Sequence, residues 1–100
     1  MKKKQKKQKS KTGYLYYNNR GVFFKNRGFY TKAIEEYEKA ISLNPNFDNG
    51  YYNLGSAYYE MGKFEEALKK WKTGLNINKE NALIKQGIQK LIPLLKVNSR

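Results

Sequence analysis

Between residues 51 and 75, apolar or small residues fall at Tyr51, Leu54, Gly55 and Tyr58, then at Phe64, Ala67, Leu68, Trp71 and Leu75, with polar and charged residues between them. The first set keeps the i, i+3, i+4, i+7 spacing, and the second repeats it. Each therefore lies along one stripe of an α-helix. Between the two stripes stands Met61-Gly62-Lys63, where glycine lets a helix end in a left-handed residue at little steric cost. The pattern predicts a helix, a tight turn and a second helix.

An earlier copy of the pattern lies 34 residues upstream: Tyr17 falls on Tyr51, Gly21 on Gly55, Phe24 on Tyr58, Gly28 on Gly62, Tyr30 on Phe64, Ala33 on Ala67 and Tyr37 on Trp71. Residue type is kept at each of these positions. Gly55 stands mid-helix, where glycine costs about 1 kcal/mol relative to alanine. Close approach of the second helix is the compensation expected, with Ala67 playing the same part from the other side. Tyr58, Phe64 and Trp71 then fill the space around that contact, each able to bury on the order of 150 to 250 Å². They read as core rather than as a ligand box.

These residues resemble the tetratricopeptide repeat. Tyr51, Leu54, Gly55, Tyr58, Ala67 and Trp71 stand at the family's W-x2-L-G-x2-Y and A-x3-F spacing, and Tyr17, Gly21, Phe24, Gly28, Tyr30, Ala33, Tyr37, Ala40 and Pro45 give the first copy. The resemblance implies an all-α, helix-turn-helix repeat array, a short TPR-like α-solenoid of about five helices. Repeat one would span residues 14–47 and repeat two residues 48–81 of a domain covering 14–97. Arg20 stands where the family has leucine, which suits a first repeat facing water. Gly74 replaces the small alanine seen at Ala40, and Lys79 replaces Pro45, so the second loop is expected to be less rigid than the first.

A fifth, closing helix is expected over about 82–92. Asn81 can cap it, Ile84, Ile88, Leu91 and Leu95 form its stripe, and Pro93 should end or kink it at Ile92. Leu83, Leu94 and Val97 add apolar groups beyond one face. Arrays generally need three repeats for a continuous core, so self-association through Ile84, Ile88, Leu91, Leu94 and Leu95 is expected.

One hundred residues are enough for one small domain, and 21 Lys plus Arg against 8 Asp plus Glu give a net charge of +13. Seven of those bases, Lys2, Lys3, Lys4, Lys6, Lys7, Lys9 and Lys11, lie in residues 1–12 without an acid. Residues 1–13 are expected to be a disordered tail. The alternative functional reading begins here: a basic protein associated with nucleic acid or an anionic surface, its affinity supplied by these lysines. Neither arginines nor aromatics interleave them, so base readout and stacking are not expected from the tail. No signal peptide and no run of about 20 apolar residues is visible. With no cysteine, a cytoplasmic location is expected.

Glu35, Glu36, Glu38, Glu65 and Glu66 sit on the second helices and read as solvated faces. Glu35 with Lys39, Glu65 with Lys69 and Glu66 with Lys70 are at i, i+4. The chain has no histidine and no cysteine, and no glycine-rich phosphate loop. Neither an enzyme nor a cofactor or metal site is expected.

In the family, the first helices of successive repeats line a concave groove that receives a peptide. By position the resemblance assigns Leu15, Asn18, Asn19, Val22 and Asn26 of the first helix to that groove, with Asn49, Tyr52, Asn53, Ser56 and Tyr59 of the third, and Leu83, Gln86 and Lys90 completing the wall. Asparagine offers donors and acceptors to a peptide backbone, and tyrosine adds flat apolar contact with a polar tip. Some relatives clamp a chaperone's terminal carboxylate. Asn53 matches their third-helix asparagine, but the four other clamp positions hold Asn18, Val22, Leu83 and Gly87, so that mode is not expected here.

Overall fold

The computed structural model describes the backbone of residues 2–98 and the side chains of residues 13–95. Five helices follow one another: α1 (Lys2–Asn26), α2 (Tyr30–Leu43), α3 (Asp48–Glu60), α4 (Phe64–Ile77) and α5 (Ala82–Asn98). Where a disordered tail is expected, over residues 1–13, the backbone of residues 2–13 is continuous with α1, and the side chains before Gly13 lie outside the described ones.

Helices α1 and α2 form one hairpin, α3 and α4 the next, and each turn is built the same way. Gly28 (φ 82°) and Gly62 (φ 78°) are left-handed. The N–H of Phe29 returns to Phe24 O and that of Gly28 to Lys25 O, both at 2.9 Å; Lys63 and Gly62 repeat this onto Tyr58 O and Tyr59 O. Each turn thereby satisfies carbonyls that a helix end leaves free.

Two clusters make the core. Ala33, Tyr37, Leu54 and Ala57 form the first, and Ala67, Trp71, Ile84 and Leu91 the second; Tyr58 packs against both. The rings of Tyr37 and Trp71 lie directly on glycine backbone. A Cβ on Gly21 would come within 2.4 Å of Tyr37, and one on Gly55 within 2.3 Å of Trp71. The expected close contact is therefore between backbone and aromatic ring.

The joints between hairpins differ in chemistry. At the first, the Tyr14 and Phe47 rings meet edge to face at 4.8 Å. Their counterparts 34 residues on are Asp48 and Asn81, and there the Asn81 side-chain amide donates to Asp48 Oδ2 at 2.8 Å and to Asn49 Oδ1 at 2.9 Å. Asn78 donates a second bond to Asp48 at 2.9 Å. The loop that lacks proline is held by this network, contrary to the expectation of looseness. Asn81 also caps α5 as expected, accepting from the Ile84 N–H at 3.0 Å. Gly74, a departure from the family pattern, leaves room for Ile84: a Cβ there would lie 2.5 Å from its Cδ1.

Further expectations meet the structure as follows. Helix α5 does not stop at Ile92 but runs on through Pro93 to Asn98. Leu95, beyond the proline, joins the second core cluster, and this packing outweighs the lost backbone bond. Of the residues expected to carry self-association, Ile84 and Leu91 are fully buried within the chain and Ile88 and Leu95 pack beside them, so these four face their own core, while Leu94 is half-buried. What α5 exposes is Leu83 and Ile92. Nor is Glu36 solvated: it is buried, with Arg20 Nε at 3.1 Å and Lys39 Nζ at 3.6 Å. None of the three expected i, i+4 pairs closes among the described residues; Lys39 goes to Glu36 instead of Glu35.

Candidate functional site

Tyr52, Ser56 and Tyr59 stand at i, i+4 and i+7 of α3, and Leu83, Gln86 and Lys90 repeat nearly that spacing on α5. The two rows border one cavity of about 130 Å³, with Trp71 and Gly87 also among its lining residues. Glu60 and Lys90 give the rim one acid and one base.

Trp71 forms part of this wall because three contacts fix its ring. Gly55 leaves room for Nε1, and a Cβ on Gly87 would stand only 2.8 Å from the far edge of the indole. Nε1 donates to the Tyr52 carbonyl at 3.0 Å. Around it, Tyr52 stacks with centroids 6.3 Å apart and Tyr59 lies tilted at 5.9 Å. A single indole thus serves as core for the second hairpin and as a wall of the cavity.

Four of the expected site residues, Tyr52, Ser56, Tyr59 and Gln86, line this cavity, as do Leu83 and Lys90. Asn18 and Asn53 meet beside it in another way, the Asn53 amide donating to Asn18 Oδ1 at 2.7 Å across α1 and α3. Asn49 is engaged by Asn81 at the base of α3. Asn19 borders a different cavity, of about 370 Å³, with Tyr16, Arg20 and Phe23. Leu15, Val22 and Asn26 are exposed on α1 and line none of these cavities. The seven tail lysines lie outside the residues whose side chains are described.

Sequence reasoning did not single out Trp71, Gly87, Asp48 or Glu36 for these roles. A usable signal was Gly87, which occupies in α5 the position that Asn53 holds in α3. For Glu36 it was a double departure, since repeat two has Leu54 and Lys70 where repeat one has Arg20 and Glu36. Glu36 beside Arg20 also pushes that guanidinium's pKa upward. At Asp48 partial burial works to raise the carboxyl pKa, but hydrogen bonds from Asn78, Asn81 and backbone N–H groups outweigh it and hold it below the ordinary aspartate value. Among the described residues no helix is long and apolar enough to cross a membrane.

Stacked hairpins with a periodic glycine-aromatic contact define a helical repeat array. A family model described as TPR repeat matches residues 21–62, and one described as Tetratricopeptide repeat matches residues 49–81. The two together span well over half the chain, which belongs to the tetratricopeptide repeat family. No curated protein matches it in sequence.

Among the 87 solved chains that match is the first TPR of Spaghetti (RPAP3) bound to the HSP90 peptide SRMEEVD, at 22% identity and a TM-score of 0.78, covering 83% of this chain. Another is the Sgt2 TPR domain from Aspergillus fumigatus, at 21% identity and a TM-score of 0.81, covering 87% of this chain. The chain spans 66% and 59% of the lengths of those two. These likenesses establish the fold, and the family implies a protein interaction module.

Proposed function

We propose that the chain binds a peptide segment of a protein partner along the concave side, between α3 and α5. The observation that carries this reading is the shared cavity of Tyr52, Ser56, Tyr59 and Gln86 beside the Trp71 ring. Its walls combine the rings of Tyr52, Tyr59 and Trp71 with the polar groups of Ser56 and Gln86, which suits one apolar or aromatic side chain flanked by hydrogen-bonding backbone. Glu60 and Lys90 at the rim favour neighbours of mixed charge on that peptide. The peptide held by the Spaghetti domain supports the class of ligand. Its chaperone-tail chemistry is not carried over, because Asn18, Val22, Leu83 and Gly87 supply no cation where the clamp has its other four residues.

Selection of random peptides displayed on phage tests the reading. Enriched peptides should change Trp71 fluorescence on binding and be lost from a Ser56→Arg variant whose longer side chain fills the cavity. Retention of the same peptides by folded Ser56→Arg would place their site elsewhere and refute the proposal.

A further inference from the structure

Charge along this chain is polarised. No acid precedes Glu35, whereas 11 of the 21 Lys and Arg fall in residues 1–34; the rest of the chain has ten bases against eight acids. The described part of this basic third includes a face that its repeat counterparts bury. Tyr16, Arg20, Phe23 and Arg27 lie at i, i+4, i+7 and i+11 on or just beyond α1. Displaced by 34 they fall on Gly50, Leu54, Ala57 and Met61, and displaced again on Ile84, Ile88, Leu91 and Leu95.

In α3 and α5 those positions pack against the hairpin before them, and Leu54, Ala57, Ile84 and Leu91 are buried. Among the described residues nothing covers the face on α1, where Tyr16 is 58% and Phe23 50% exposed. Two of its four positions are arginine. An apolar helix laid over them would have to desolvate both guanidinium groups, and a second copy of this chain would bring a further net +13.

Cations and rings are already arranged together there. The Arg27 guanidinium lies 3.8 Å over the Phe23 ring, and Arg20 lies 5.7 Å from the Tyr16 ring. Near it, Phe29 is 59% exposed in an open cavity of about 530 Å³ shared with Lys32 and Glu35.

We propose that the exposed face from Tyr16 to Arg27 is a platform for single-stranded nucleic acid, bases stacking on Tyr16 and Phe23 while Arg20, Arg27 and Lys32 meet phosphates. Phosphates reconcile the two halves of the observation: aromatic rings half exposed to solvent, and a run of cations of which Arg20 is already held through Nε by the buried Glu36. The seven lysines of residues 2–11 add to the net positive charge that attracts such a strand. The concave cavity is a separate surface, so peptide and nucleic acid need not compete.

Anisotropy of a labelled uridine oligonucleotide, about twelve residues long, titrated with the full chain at several salt concentrations tests this. Tyr16→Ala and Phe23→Ala should each weaken binding by ~5- to 100-fold with the salt slope unchanged. Replacing the seven tail lysines by glutamine should flatten the log-log slope by about 0.7 for each phosphate no longer neutralised. Circular dichroism checks folding; Tyr16→Leu and Phe23→Leu, which keep apolar bulk without a ring, give the same reading should an alanine variant unfold. Wild-type affinity in the ring variants would reduce the interaction to tail charge and overturn the proposal. Polyglutamate displacing the oligonucleotide as well as unlabelled oligonucleotide at equal charge would point to an acidic protein instead, and absence of binding at low salt would also overturn it.

Discussion

Gly55→Ala tests the ring-on-backbone contact that both repeats share. On helix propensity alone the substitution gains about 1 kcal/mol. The new Cβ, however, stands 2.3 Å from Trp71 Nε1 and 2.4 Å from Cδ1, and the ring cannot withdraw easily because α5 backbone at Gly87 closes its far side. Overpacking of this kind costs about 1 to 3 kcal/mol. Moving Nε1 off the Tyr52 carbonyl costs about 1 kcal/mol more. The propensity gain is outweighed, and net destabilisation of about 2 kcal/mol is expected, a fall in Tm of about 10 °C for a domain this small. Thermal melting followed by circular dichroism reads the stability. Emission reads the cause, since Trp71 is the only tryptophan and 3% exposed, and its spectrum should shift red in the variant. The same substitution at Gly13 meets only an ordinary contact with Leu43 Cδ1 at 3.4 Å, so Gly13→Ala should be neutral or stabilising by up to about 1 kcal/mol. A Gly55→Ala protein melting at or above wild type, with unshifted emission, would refute the reasoning.

The Tyr37 hydroxyl is buried and has no hydrogen-bond partner among the described residues, so Tyr37→Phe should stabilise by about 1 kcal/mol in urea titration. Burial raises its pKa to about 12; the neutral phenol's contribution is intact below pH about 10 and lost as pH rises toward 12, a limb that should flatten in Tyr37→Phe. The Asp48 carboxyl lies below its ordinary value, so its contribution is present above pH about 4 and lost as pH falls through the lowered pKa. Asp48→Ala should cost about 1 to 3 kcal/mol at neutral pH and remove that acid limb, as read by melts across pH. Gly28→Ala and Gly62→Ala meet nothing within 4 Å yet must hold φ near +80°, and each should cost about 1 kcal/mol in thermal melts.

Period and residue type account for what was legible in the sequence. Helical stripes, the 34-residue displacement and the turn glycines depend on local geometry, and they carried the hairpins and their order; the row Tyr52, Ser56 and Tyr59, which lines the cavity, came from the family resemblance. The parts that escaped depend on two distant positions changing together. Arg20 by itself read as a residue facing water, and Glu36 by itself as one of several surface acids; only their proximity gives a buried carboxylate its half-exposed cation. Pro93 carries a strong local preference to end a helix, but Leu95 beyond it completes a stripe on α4, and tertiary packing decided. Asn19 and Asn53 are repeat equivalents, yet only Asn53 has a preceding first helix to meet, where it donates to Asn18. Asn19 faces the open side of α1 instead.

The two joints hold one backbone frame by different chemistry, and the difference bears on the cavity. Tyr14 on Phe47 is an edge-to-face contact that no proton can alter across ordinary pH. Asp48 with Asn78 and Asn81 ties the start of α3 to the end of α4 and the cap of α5 through one carboxylate. The cavity lies between α3 and α5, one turn beyond that tie, whereas the face of α1 lies before the aromatic joint. Acid should therefore loosen the α3–α5 geometry before it disturbs the first hairpin, weakening a peptide held beside Trp71 while Tyr16 and Phe23 keep their arrangement.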